Sequence, residues 1–158
     1  MNNDQAIDRL NSLIEINNNR IEGYKTARDE TLQEDLKIIF TKFINTSQEC
    51  KSELVREVEK LGGEPMHGTD TASKFFRIWM DIKYALTCND RDTVLNSCEQ
   101  SECHTVDVYT GVLMESGEHL TTEHRMVIEA KLERITENYD RIKNLQIRAF
   151  EHRKCINN

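Results

Sequence analysis

Proline is almost missing from this chain. Pro65 is the only one in 158 residues, and it stands in Gly62-Gly63-Glu64-Pro65. With no other proline to stop it, the rest of the sequence is free to form long helices. No apolar run approaches the roughly 20 residues needed to span a bilayer, so a membrane-spanning helix is not expected. The start, Met1-Asn2-Asn3-Asp4-Gln5, carries neither a basic region nor an apolar one, so no secretory signal is expected. Cys50, Cys88, Cys98, Cys103 and Cys155 form no Cys-x-x-Cys pair, and their odd number and irregular spacing argue against a disulfide framework. Cys50 and Cys98 fall on apolar stripes and read as small buried hydrophobes rather than redox groups. A Gly-rich phosphate loop, a nucleophile–base pair and a tuned carboxylate pair are all lacking, so the sequence leans away from an enzyme. Excess positive charge is lacking too. The net charge is -7, which argues against bare nucleic acid or an anionic membrane as partner. The expected setting is a reducing cytoplasm.

What is present is helical periodicity. Charged residues make up 31% and apolar residues 37%, the balance of long helices with one buried stripe and one solvated face. A first helix is predicted over residues 4–28, with Ile7, Leu10, Ile14, Ile21 and Tyr24 on its stripe and Asn17 interrupting it. Thr31-Leu32-Gln33-Glu34 has the pattern of a capping box opening a second helix over 32–61. Its stripe is Leu36, Phe40, Phe43, Ser47, Cys50, Leu54, Val58 and Leu61, and Gly62-Gly63 ends it. After the loop around Pro65 and Gly68, a shorter helix is predicted over 71–87, carrying Phe75, Phe76, Ile78, the single Trp79, Ile82 and Leu86. This segment is expected to lie across the bundle as part of the core rather than as a binding platform. Asn89-Asp90 caps a helix over 90–114, with Val94, Leu95, Cys98, Glu102, Thr105, Tyr109 and Leu113 on its stripe. Gly117 breaks the chain, and Thr121-Thr122 caps a last helix over 121–154. The charged residues near its end, Arg148 to Lys154, read as a solvated helix terminus.

The second helix is about 45 Å long at 1.5 Å per residue. The connection from Gly62 to Asn89 is too long for a simple hairpin, which needs about 2–8 residues. It is long enough to carry the chain back along the whole bundle. One domain over residues 1–158 is therefore expected, all-α: an up-down four-helix bundle of two antiparallel hairpins, ferritin-like, joined by a long crossover containing an additional short helix.

Several segments, in order along most of the chain, resemble one family. They are Ile21-Glu22-Gly23-Tyr24, Leu61-Gly62-Gly63-Glu64-Pro65, Trp79-Met80-Asp81-Ile82-Lys83 with Ala85-Leu86-Thr87, Cys98-Glu99 with Glu102, and Asp140-Arg141-Ile142. The family is a bacterial, ferritin-like one of unknown function, the DUF2383 type. The resemblance implies a ferritin-like bundle and supplies no reaction or substrate. Members often carry a His just before the Asp-Arg-Ile element, where this chain has Tyr139.

A di-iron centre in such a bundle takes one Glu from each of two helices and a Glu-x-x-His from each of the others. The sequence contains no Glu-x-x-His. Glu99 and Glu102 are the remaining metal candidates, for iron or manganese. Folding each hairpin about its turn places Asn17, Ser47 or Cys50, Glu102, and Ile135 or Tyr139 in the middle layer. One carboxylate cannot balance two metal ions, so no cofactor is expected. Glu102 on a core stripe still needs partners. A hydrogen-bonded network of Asn17, Ser47, Glu102 and Tyr139 that sets helix register would supply them, and Glu102→Gln is then expected to change stability only modestly. Glu22, near the end of the first helix, reads as solvated or locally hydrogen-bonded.

Two functions compete. One is a non-catalytic bundle acting by association, as a homo-oligomer, dimer first, or with an unknown protein partner. The other is a metal-binding protein linked to stress or iron handling. An exposed apolar patch on the crossover helix would favour the first, and converging carboxylates the second.

Overall fold

The structure, a computed structural model, describes residues 3–69, 74–115 and 119–157, with the side chains of residues 74 and 75 outside that description. Among the described residues five helices follow in order: α1 (Asn3–Glu30), α2 (Glu34–Lys60), α3 (Lys74–Thr87), α4 (Arg91–Glu115) and α5 (Thr122–Ile156). No strand occurs among the described residues. These bounds lie within a few residues of those predicted. The expected start at Thr71 and the break at Gly117 lie outside the described residues.

The helix ends show which local signals worked. Gly62, at φ +79°, is the left-handed residue that stops α2. Its amide closes on Glu59 O at 2.9 Å, and that of Gly63 on Val58 O at 3.0 Å, the paired bonds of a Schellman end. Asn89, at φ +53°, ends α3 in the same way. Asp90 then accepts from the Thr93 amide at 3.2 Å and opens α4. Thr121 caps α5: its hydroxyl accepts from the His124 amide at 3.1 Å, and His124 Nδ1 accepts from the Thr121 amide at 3.3 Å. The capping box expected at Thr31–Glu34 does not form. Gln33 is the capping residue of α2 and makes no side-chain cap. Only residues 31–33 separate the two helices, so Thr31 caps the end of α1 instead. Its amide bonds Ala27 O at 3.0 Å, and its hydroxyl is used on the Gln33 amide at 3.2 Å.

Side-chain pairs set the helix directions. Arg9–Glu115, Asn17–Tyr109 and Arg20–Glu102 run α1 against α4. Glu57–His124, Glu53–Lys131 and Glu49–Arg134 run α2 against α5. Asp92–Arg153 and Glu99–Lys143 run α4 against α5. The molecule is thus two antiparallel hairpins in which α2 and α4 point the same way, so the connection between them must travel the length of the bundle. Asparagines on α1 hold that connection. Asn11 donates to Glu64 O at 3.0 Å and accepts from the Met66 amide at 2.8 Å, and Asn18 donates to Gly68 O at 3.0 Å. Further along α1 the strap becomes α3, whose Ile78, Ile82 and Ala85 enter the core.

That core has two apolar halves. One gathers Tyr24, Phe40, Phe43, Ile82, Leu95, Cys98 and Ile142. The other gathers Leu10, Leu13, Leu54, Tyr109, Ile128 and Ile135. Trp79 packs against both. It lies directly on Gly23, where a Cβ would come within 2.0 Å of the indole ring.

Candidate functional site

Between the apolar halves runs a polar layer. On α1 the buried positions Leu10, Leu13, Asn17, Arg20, Tyr24 and Ala27 follow one another at three- and four-residue steps. Such spacing turns all six to one face, so Asn17, Arg20 and Tyr24 point inward together. Arg20 is fully buried, as are Ser47 from α2 and Glu102 from α4. The Arg20 guanidinium lies 2.6 and 2.8 Å from the two carboxylate oxygens of Glu102. It also donates to the Ser47 hydroxyl. Tyr24 donates its phenol to the same carboxylate at 2.5 Å, and its ring centroid stands 5.5 Å from the guanidinium carbon. Phe40, Phe43 and Trp79 surround that ring.

The electrostatics close on themselves. A lone buried carboxylate would be costly. Here Glu102 has one cation and one phenol donor. Burial pushes the Tyr24 phenol well above its usual range, and the neighbouring Glu102 charge pushes it further. Tyr24 therefore stays protonated and donates. In the adjoining layer Asn17 donates to Tyr109 at 2.7 Å and to Leu13 O at 2.8 Å.

The structure places the residues singled out from sequence as follows. Asn17, Ser47 and Glu102 all lie in the buried layer, but Glu102 bonds neither Asn17 nor Ser47 directly. Arg20 joins Ser47 to Glu102, and Asn17 turns to Tyr109. Tyr139 does not take part. It is half-buried beside Glu99 on the α4–α5 seam. Glu99, three residues before Glu102, faces that seam and accepts from Lys143 at 2.9 Å and Gln146 at 2.8 Å. Those bonds hold its carboxyl below the usual range. The two metal candidates thus face different neighbours. Among the described residues no three His, Cys, Asp or Glu side chains gather closely enough to hold a metal. Where carboxylates of a di-metal centre would converge, a guanidinium already balances the single carboxylate present. The residues do not fit such a centre.

Cys50 and Cys98 flank the layer and are buried. Burial pushes both thiols up, which removes the reactive thiolate. Three thiols, Cys88, Cys103 and Cys155, are exposed. A disulfide reagent is expected to modify these three promptly in the native protein and the other two only after denaturation. Prompt native reaction of Cys50 or Cys98 would contradict this packing.

The second distinctive surface is the outer face of α3. Phe76, Met80 and Tyr84 are 43%, 51% and 72% exposed, although they sit on the helix that closes the core. Phe76 and Met80 also line an apolar cleft of about 230 Å³ that opens between α1 and α3, together with Trp79, Ile82, Leu86, Glu22 and Lys83.

These features define an all-helical bundle with a long crossover and a charge-balanced buried layer. The model of a family described as a domain of unknown function, DUF2383, matches residues 5–115, and this chain belongs to that family. No curated protein matches the chain.

Proposed function

We propose that this chain is a ferritin-like bundle acting in the cytoplasm as a non-catalytic association module. The observation that carries this reading is the Arg20–Glu102 pair. The position that would need a vacant carboxylate cluster is filled by two opposite charges that balance each other. The polar layer then works as a structural joint between the hairpins, and the surface is left to act by contact. The exposed apolar stripe on α3 supports the same reading. The alternative, iron or manganese handling at Glu99 and Glu102, has no supporting observation in the geometry of those residues.

Loading the purified protein with Fe(II) or Mn(II) and measuring bound metal per chain tests the proposal. The expected result is no stoichiometric metal. Stoichiometric metal that is lost on Glu99→Gln would overturn the reading and move attention to oxidase chemistry.

A further inference from the structure

We propose that the outer face of α3 is the contact by which two copies of this chain form a two-fold dimer. This rests on the association reading and names its partner. Phe76, Met80 and Tyr84 recur at four-residue steps, a nearly straight exposed stripe about 12 Å long. Inward-facing Ile78, Ile82 and Ala85 hold the opposite face of α3 in the core, so the stripe cannot turn in. Arg77 and Asp81 lie along one flank of it, both exposed. Neither forms an ion pair among the described residues.

That flank selects the occupant. In an antiparallel pairing of two α3 helices, with the two-fold axis at Met80, each copy keeps the same flank on the same side of the axis. Met80 meets Met80 of the second copy, and Phe76 comes level with its Tyr84. Arg77 comes within about 3 Å, measured along the axis, of the second copy's Asp81. Symmetry makes the ion pair twice. The surface is therefore complementary to itself in both charge and apolar pattern. The cleft between α1 and α3 adds a concave apolar wall beside the stripe. A single helix pair buries less than the roughly 1,600 Å² of a standard stable interface, which points to micromolar rather than nanomolar affinity.

The test is sedimentation of the whole chain from low micromolar to several hundred micromolar. A concentration-dependent dimer is expected. Met80→Glu should leave it monomeric throughout, with helical circular dichroism and thermal midpoint unchanged, because that side chain points outward. Arg77→Asp and Asp81→Arg should each weaken dimerisation about tenfold, and the two together should restore it. Restoration by the charge swap separates this contact from a general loss of folding. A dimer indifferent to Met80→Glu would overturn the α3 contact while leaving the association reading in place. A chain that stays monomeric at the highest concentration would also overturn it. Stoichiometric metal in the loading experiment is a separate failure that strikes the association reading itself.

Discussion

Glu102→Gln is expected to cost about 3–5 kcal/mol of folding stability, because it strips the counter-charge from a guanidinium with no access to water. Arg20→Met should cost as much for the mirror-image reason. For a chain of this size each kcal/mol lowers the thermal midpoint by about 2–4 °C, so either change is visible in a simple melt. The sequence alone supports the opposite expectation for Glu102→Gln, a modest effect, since it offers only neutral partners for the carboxylate. The double change Arg20→Met with Glu102→Leu should lie much closer to the parent than the two losses added, because no buried charge is left alone. It should still fall short by about 1–3 kcal/mol, since the Tyr24 and Ser47 hydroxyls lose their partners. Chemical denaturation of the parent, Arg20→Met, Glu102→Leu and the double variant closes this cycle, with Glu102→Gln measured beside them. Single changes that each cost under about 1 kcal/mol would mean that water reaches the pair.

Gly23→Ala should destabilise the protein, against what helix propensity says. Alanine in a helix interior is better than glycine by about 1 kcal/mol. Here the added Cβ would lie 2.0 Å from Cε2 of Trp79, and a rigid indole cannot yield as a flexible chain end can. Overpacking of this kind costs about 1–3 kcal/mol, occasionally more. Trp79 also stands edge-on to Tyr24 at 4.6 Å, so its displacement would disturb the phenol that donates to Glu102. Because Trp79 is the only tryptophan, its fluorescence reads the displacement directly, and a red shift is expected. Gly23→Ala combined with Trp79→Leu should be less damaging than adding the two single losses. A Gly23→Ala protein that is more stable, with unchanged emission, would sink the argument.

The helices were legible because their apolar positions are strictly periodic, and the crossover because two hairpins and a 1.5 Å rise leave few ways to connect them. Glu102 stood out as a carboxylate on an apolar stripe. Arg20 did not, although the signal was there. Leu10, Leu13, Asn17, Arg20, Tyr24 and Ala27 hold a three-four rhythm as regular as the apolar series read in its place. An arginine is ordinarily assigned to water, and only tertiary proximity to Glu102 reverses that default. Tyr139 failed for a geometric reason. Hairpin folding fixes the height of a residue along the bundle and not the direction its side chain takes, and Tyr139 turns to the α4–α5 seam. The strap was also hidden. Asn11 and Asn18, seven positions apart, share one face of α1, but nothing local shows that this face grips a backbone fifty or more positions away.

The Arg20–Glu102 pair links positions 82 apart, one in each hairpin. Each hairpin can zip from its own turn, whereas this contact waits until both are built and have docked. Until then its two charges stay hydrated and hinder nothing. The pair is therefore expected to form when the hairpins dock, and Arg20→Met should raise the unfolding rate, followed by stopped-flow denaturation, far more than it lowers the folding rate. Arg20 works as a latch: it has little to do with how fast the door swings, and much to do with how long it stays shut.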